Sequence, residues 1–492
     1  MRGARVAGQA PRAAAGIHQD SAHHCAAAPQ AIVPLAAPAR RWRRPPTVRY
    51  APAAHNLPMK KPEGRPRSTM FTVVVTALVT GVLVLLALNF TAGEKKVQQQ
   101  LPRLYNTASP QFERALGSLL GPGIVGGNEV TELLNGDQIF PPMLAAIKAA
   151  RHSVTFETYI YWSGDIGKAF ADALSERARA GVKVHVLLDW VGSAKMEESY
   201  LADMKQAGVK IEKFHKPHWY NLARMNNRTH RKLLVVDGQV GFTGGVGIAP
   251  EWTGNATDPD HWRDSHYMVR GPAVAQVQAT FLDNWLKVTG KVLHGDLYFP
   301  PLNQQPPVGT QKAQMFSSSP SSGSESMQLM YHLAITAAER SIDLSVAYFV
   351  PDELTQKLLM DALARGVRVR MVTPGEHTDT ATVKAASRAT WGELLQAGAE
   401  IYEYGPTMYH CKVMIVDQLL VSVGSTNFDN RSFRLNDEAN LNVYDAKFAQ
   451  RQTEVFEDDI KQSRRVTYEA WLDRPLREKV HEKFTALLRS QL

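Results

Sequence analysis

Cysteine is nearly absent: Cys25 and Cys411 are the only two in 492 residues. Two thiols so far apart give neither a disulfide framework nor the paired spacing of a zinc or iron–sulfur site. No cluster of Asp and Glu has a spacing suited to Mg2+ or Ca2+, so neither a metal nor a cofactor is expected. Positive charge is scarce where it would matter. The formal net charge is +9, but residues 1–58 hold eight Arg against one Asp, and residues 59–69 hold Lys60, Lys61, Arg65 and Arg67 against Glu63. Taking 7 and 3 from 9 leaves −1 for the rest of the chain. A body this close to neutral lacks the electrostatic footprint of a nucleic-acid-binding protein, and no nucleic-acid partner is expected.

Long apolar runs are also missing, with one exception. Met70 to Phe90 is 21 residues without a charge, enough to span a bilayer. The apolar region of a cleaved signal peptide is usually shorter, about 7–15 residues, so a transmembrane helix over 70–90 is expected. Lys60, Lys61, Arg65 and Arg67 precede it; Glu94, Lys95 and Lys96 follow. That bias favours the N-terminus inside and the body outside. The leader, residues 1–69, is basic and lacks periodicity, so it is expected to be disordered. Met59-Lys60-Lys61, just ahead of the apolar run, looks like a bacterial start. Residues 1–58 therefore read either as leader or as upstream sequence from a mistaken start.

What is present is a repeat. His230-Arg231-Lys232-Leu233-Leu234-Val235-Val236-Asp237 recurs as His410-Cys411-Lys412-Val413-Met414-Ile415-Val416-Asp417. Other landmarks recur in the same order: Ala146 with Ala334, Gly181 with Gly366, Gly208 with Gly398. The offsets are 188, 185, 190 and, for the histidines, 180. Two homologous halves follow, a first domain over 125–298 and a second over 327–490. The Pro-, Ser- and Gly-rich stretch 299–326 between them reads as a linker or surface loop.

Each half shows a strand–helix–strand pattern. In the first, Val154–Ile160 and Val182–Leu188 are apolar and strand-like around a helix over Asp165–Ala180 that stops at Gly181. In the second, Ile342–Val350, Asp352–Arg365 and Val367–Val372 repeat it. The fold class is therefore α/β, with a largely parallel sheet covered by helices. Leu233–Val236 and Val413–Val416 read as further strands.

The doubled motif carries the chemistry. Residues two apart share a face of a strand, so His230 and Lys232 point one way, as do His410 and Lys412. Cys411 points away and reads as packing. Facing halves would gather all four polar groups around one cavity, which suits a phosphodiester. One imidazole attacks phosphorus and the other protonates the leaving alkoxide. The lysines stabilise charge on the non-bridging oxygens. Small-residue turns follow each strand, Thr243-Gly244-Gly245-Val246-Gly247 and Gly424-Ser425-Thr426-Asn427. They could bring Gly245, Ser425 or Asn427 to a phosphate oxygen, or be ordinary tight turns.

These residues resemble the phospholipase D superfamily with its two HKD motifs. The wider match, including Asn227-Arg228-Thr229-His230, Ala347-Tyr348-Phe349-Val350-Pro351-Asp352 and Gly424 to Ser432, is closest to the bacterial cardiolipin synthases. The resemblance covers roughly 125–490. It implies two tandem phospholipase D-like α/β/α lobes related by pseudo-twofold symmetry, and a phosphohistidine intermediate. It implies the catalytic set His230, Lys232, Asp237, His410, Lys412 and Asp417, with the two aspartates better suited to bracing the sheet than to touching substrate. Acidic partners for the histidines match best at Glu438 and Asp264. Where the first motif's tail often has Asn, this chain has Gly247.

The first half carries ten extra residues before its motif, including His218-Trp219-Tyr220-Asn221-Leu222-Ala223-Arg224. Aromatics with Arg suit a membrane interface; a packed loop is the plainer alternative. With the apolar run, this favours a phospholipid substrate and membrane partner. The specific expectation is two phosphatidylglycerols giving cardiolipin and glycerol, in a single-pass protein of the bacterial cell membrane with its catalytic domain on the periplasmic side. Hydrolysis of phospholipid, a nuclease and a non-enzymatic scaffold are the alternatives, and the oligomeric state is left open.

Overall fold

A computed structural model of the chain describes residues 67–91, 100–216, 226–301, 307–319 and 326–486. The basic leader up to residue 66 and the aromatic loop 218–224 lie outside the described residues.

The first lobe contributes strands β1 (Val125–Leu134), β2 (Ser153–Thr158), β3 (Lys183–Asp189), β4 (Lys210–Phe214), β5 (Leu233–Val236), β6 (Val240–Gly244) and β7 (Ser265–Arg270). The second contributes β8 (Gln311–Ser318), β9 (Ser341–Val346), β10 (Phe349–Val350), β11 (Arg368–Pro374), β12 (Glu400–Tyr404), β13 (Lys412–Val416), β14 (Leu420–Gly424), β15 (Phe428–Asp429), β16 (Glu438–Tyr444) and β17 (Ser463–Val466). From the centre outward the first lobe runs β1-β7-β6-β5-β2-β3-β4, and the second runs β8-β16-β14-β13-β9-β11-β12-β17. The orders match strand for strand, with β17 added at the far edge. The halves are thus two copies of one unit, joined where β1 pairs antiparallel with β8.

Two expectations change. The sheet is parallel only across β2, β3 and β4 and across β9, β11 and β12. The strands from β5 to β7 and from β13 to β16 pair antiparallel. The cause is the short connection after each motif strand, since three residues can join only antiparallel strands. Asp237 and Gly238, and equally Asp417 and Gln418, have φ between 53° and 64°, as a type I′ hairpin turn requires.

The 299–326 stretch is not simply a linker. Its residues 311–318 form β8, which pairs with β16 from Glu438↔Ser318 to Tyr444↔Lys312. Ala313, Gln314, Met315 and Phe316 are buried. The Pro- and Ser-rich flanks hid a short strand that sits at the centre of the molecule.

Helices cover the sheet. Val274–Thr289 and Ala446–Lys461 occupy matching places after β7 and β16. One apolar cluster, including Phe281, Trp285, Met315, Cys411, Val413 and Phe456, draws on both lobes. Cys411 packs there as expected, and burial pushes its thiol pKa up to about 12. The 70–90 run lies within a helix over Arg67–Thr91, whose described side chains, 69–85, are exposed. Among the described residues no helix is long and apolar enough to cross a membrane.

Candidate active site

Two pairs of adjacent segments build the site. Thr229 bridges to Asp437 of the other lobe, with the His230 N–H donating to the Asp437 carbonyl at 2.9 Å. Arg263 bridges to Tyr409 in the same way, and the His410 N–H donates to the Arg263 carbonyl at 2.8 Å. Each bridge sets a histidine beside a carboxylate one residue further along the partner segment. Nδ1 of His230 is 3.0 and 3.1 Å from the Glu438 carboxylate oxygens. Nδ1 of His410 is 2.7 Å from Oδ2 of Asp264. The carboxylates are therefore exchanged between lobes. A carboxylate can only accept, so each imidazole carries its proton on Nδ1 and keeps the Nε2 lone pair.

The carboxylates are themselves held. Glu438 accepts from the Ser425 hydroxyl at 2.5 Å. Asp264 accepts from the Trp252 indole at 2.9 Å and the Ser265 N–H at 2.8 Å. Arg263 clamps Asp459 through Nε at 2.9 Å and Nη2 at 3.0 Å, which fixes the segment carrying Asp264.

Burial controls the charges. It pulls the His230 pKa down to about 4, with Glu438 opposing and Lys232 adding to the fall. It also depresses His410, helped by Lys412 and opposed by Asp264. Both imidazoles are thus neutral at pH 7. Burial lowers Lys232 to about 7 and lowers Lys412 too. Burial alone would raise Glu438 and Asp264, but the facing histidines and lysines outweigh it and hold both ionised.

One cavity of about 480 Å3 lies above this cluster. His230, Lys232, His410 and Asn427 line it. Lys412 does not: its ammonium turns back to the His410 carbonyl at 2.6 Å and lies against the ring. Three of the four motif cations and imidazoles thus face the cavity, not all four.

Other expected contacts lie elsewhere. Asp237 accepts from the N–H groups of Arg151, His152 and Ser153. Asp417 accepts from those of Glu339, Arg340 and Ser341. Both brace the sheet outside the cavity. The Gly245 N–H is spent on the Ser265 carbonyl, and a Cβ at 245 would collide with the Asp264 carboxylate. Gly245 makes room for that carboxylate and does not cradle phosphate. Ser425 likewise serves Glu438. Asn427 is the turn residue that reaches the cavity, where its buried Oδ1 has no hydrogen-bond partner among the described residues.

Several cavity residues were given no role from the sequence. Arg228 and Arg431 bring positive charge, and Tyr159, Trp252, Trp262 and Tyr348 bring aromatic walls. The Tyr159 and Trp252 rings stand edge-on to His230 and His410, with centroids 5.3 and 5.2 Å apart. Arg228, Trp262, Tyr348 and Arg431 fall inside the motif segments and could have been noticed there. Tyr159 and Asp379 had no local signal. Tyr348 donates its hydroxyl to Asp379 at the cavity wall.

Comparison with known proteins agrees with this geometry. The family profile described as "Cardiolipin synthase, PLD-like domain" matches residues 143–285 and 332–460. A cardiolipin synthase of Geobacillus kaustophilus is 36% identical over 363 residues, covering 73% of this chain and 72% of that protein. Cardiolipin synthase 1 of Bacillus anthracis is 35% identical over 377 residues, covering 75% and 74%. Among solved structures, a phosphatidylserine synthase of Haemophilus influenzae Rd KW20 matches with a TM-score of 0.59 at 14% identity, covering 78% of this chain and all of that one, a likeness of fold. With two matched lobes, two intact motifs and relatives of this identity and coverage, the chain belongs to the cardiolipin synthase family of phospholipase D-like phosphatidyltransferases.

Proposed function

We propose that the protein makes cardiolipin and glycerol from two molecules of phosphatidylglycerol through a phosphohistidine. Nε2 of His230 attacks phosphorus, and the bond to the glycerol oxygen breaks. His410 enters this step as the imidazolium, favoured by the bound lipid's phosphate charge, and gives its Nε2 proton to that leaving alkoxide, becoming neutral. His410 then takes a proton from a headgroup hydroxyl of the second lipid. The resulting alkoxide attacks phosphorus, releasing cardiolipin and free His230. Lys232 stabilises the non-bridging oxygens as charge builds, with Lys412 adding its field from behind His410.

The observation that carries this reading is the crossed pairing of His230 with Glu438 and His410 with Asp264 beneath one cavity. It gives two like imidazoles opposite jobs in successive half-reactions without a change of tautomer. The aromatic wall suits a lipid headgroup with its glycerol backbone. Arg228 and Arg431 suit the anionic donor and acceptor.

The same proposal places the protein in the bacterial cell membrane as a single-pass protein. The supports are the uncharged run 70–90, its helical course and the positive flank before it. The catalytic lobes then lie on the periplasmic side.

The test is incubation of the detergent-solubilised protein with phosphatidylglycerol, without added metal, beside His230→Ala and His410→Ala. Cardiolipin with glycerol from the wild type alone supports the proposal. Phosphatidic acid would assign a hydrolase instead. The absence of any lipid product would turn the search to other phosphodiesters.

A further inference from the structure

The last helix of the described chain takes no part in the site. Leu476–Ala486 follows a short helix, Tyr468–Leu472. Leu476, Val480 and Phe484 recur every four residues, so they share one stripe of the helix. They are 76, 61 and 68% exposed, and Leu472 just before them is 48% exposed. Large apolar side chains this exposed, in a row, are costly in water because the apolar area stays hydrated.

The charges on this helix are sorted by side. Its acids are both paired, Glu482 in the interior and Glu478 at the half-exposed edge. Glu478 pairs with Arg388 at 3.2 Å, and Glu482, buried, pairs with Arg474 at 2.7 Å and Arg388 at 3.7 Å. Its bases flank the stripe. At about 100° per residue, Lys479 and Lys483 fall on one edge and Arg477 on the other. None of these three forms an ion pair among the described residues. What faces outward is therefore an apolar line bordered by three unpaired cations.

The helix also has a definite place. It packs against Ala381–Arg388. That second helix and the turn before it supply Asp379, Thr380 and Val383 to the wall of the catalytic cavity. The helix bearing the stripe is thus one helix away from the cavity wall.

We propose that Leu476–Ala486 is an interfacial helix that lies flat on an anionic phospholipid surface. Leu476, Val480 and Phe484 enter the boundary between headgroups and acyl chains, and Arg477, Lys479 and Lys483 meet lipid phosphates. The contact holds the cavity mouth against the bilayer, so that a lipid headgroup reaches the histidines while its chains stay in the membrane. This second contact is separate from the 70–90 segment. It rests on the phospholipid reading of the site only for its purpose, not for its existence.

The test uses the full chain carrying Cys25→Ser and Phe484→Cys, labelled with bimane; Cys411 is buried and stays unlabelled. The protein is reconstituted into vesicles of phosphatidylcholine alone, or of phosphatidylcholine with phosphatidylglycerol, with brominated acyl chains as quenchers. The expected result is a blue shift and quenching in the anionic vesicles. Adding Arg477→Glu, Lys479→Glu and Lys483→Glu should reverse both, while a label at the exposed Lys148→Cys stays unquenched. No quenching at 484 would overturn the proposal, as would equal quenching in neutral vesicles. A blue shift in detergent that grows with protein concentration would assign the stripe to a second copy of the chain instead.

A catalytic arm separates this proposal from the reading of the site. With Leu476→Glu, Val480→Glu and Phe484→Glu, turnover on vesicles should fall roughly 10-fold or more. Turnover of dispersed short-chain phosphatidylglycerol should stay at the wild-type level. Equal loss on both substrates would overturn the helix's role. If the wild type turned over neither, the substrate assignment would fail while the labelling still judged the helix.

Discussion

Asp264 and His410 lie 146 residues apart in sequence and in different lobes, yet Oδ2 and Nδ1 meet at 2.7 Å. Glu438 and His230 repeat the relationship across 208 residues at 3.0 Å. Each lobe thus supplies one histidine and the carboxylate that orients the other lobe's histidine. Neither lobe alone holds a complete histidine–carboxylate pair.

That exchange makes the first prediction. Asp264→Asn and Glu438→Gln keep shape but remove the charge that fixes Nδ1–H. Each should lower kcat by about 10²–10⁴ with little change in KM, as expected when a histidine loses its orienting carboxylate. Initial rates on phosphatidylglycerol decide it, and a kcat near wild type for either variant would sink the orienting role.

The two histidines should separate with an activated substrate. A phosphatidyl ester of p-nitrophenol has a leaving group acidic enough to depart unprotonated. His410→Ala should then still give a burst of nitrophenolate and a trapped phosphatidyl-enzyme, and His230→Ala should give neither. The reverse pattern would exchange their roles.

Burial sets the pH profile. In the free enzyme, His230 at about 4 becomes protonated, and non-nucleophilic, as pH falls through that value. Lys232 at about 7 loses its positive charge as pH rises through that value. The kcat/KM profile, which reports the free enzyme, should rise near pH 4 and fall on the alkaline side as His410, held below its ordinary pKa by burial, and then Lys232 lose their protons. Bound phosphate favours the charged lysine, so the alkaline limb of kcat should lie at higher pH. Coincident alkaline limbs would remove Lys232 from that role.

Gly247 stands where the first motif's tail often has Asn, and restoring it should do harm. A Cβ there would lie 2.7 Å from Cβ of Ile160 and 3.1 Å from Cζ3 of Trp252. Trp252 holds Asp264, so displacing its ring disturbs His410. Gly247→Asn should cost about 1–3 kcal/mol of stability through overpacking and lower kcat. Thermal melts with rate measurements check both, and a faster enzyme would show that a phosphate donor had been missing.

Asp417 should matter for stability and not for chemistry. Asp417→Asn tolerates the positive φ but weakens the charge-assisted bonds to three backbone N–H groups. A loss of roughly 2 kcal/mol is expected, with turnover per folded molecule nearly unchanged at low temperature. Urea unfolding and active-site titration separate the two quantities.

Much of this was legible in the chain. The repeat, the strand Leu233–Val236, the run Ile342–Val350 that the structure divides into Ser341–Val346 and Phe349–Val350, and the helix ending before Gly181 follow from local periodicity and stop signals. The antiparallel halves of the sheet are not foreseen, because the strand–helix–strand pattern covers only the parallel part and the tight hairpin at Asp237-Gly238 carries no weight in that reading. β8 was missed because its eight residues sit between Pro-rich and Ser-rich flanks and pair only with distant strands.

The sequence by itself determined two spaced His and Lys pairs, repeated in register, which are covalent facts of order and spacing. Glu438 and Asp264 came as acids only through the resemblance to the phospholipase D superfamily. Only the tertiary structure decided which acid serves which histidine, that Lys412 sits behind the cavity, and that Tyr159, Trp252 and Asp379 wall it. Such contacts form between segments more than a hundred residues apart. They are set by how two sheets join at β1 and β8 and bury a common core, which no local pattern encodes.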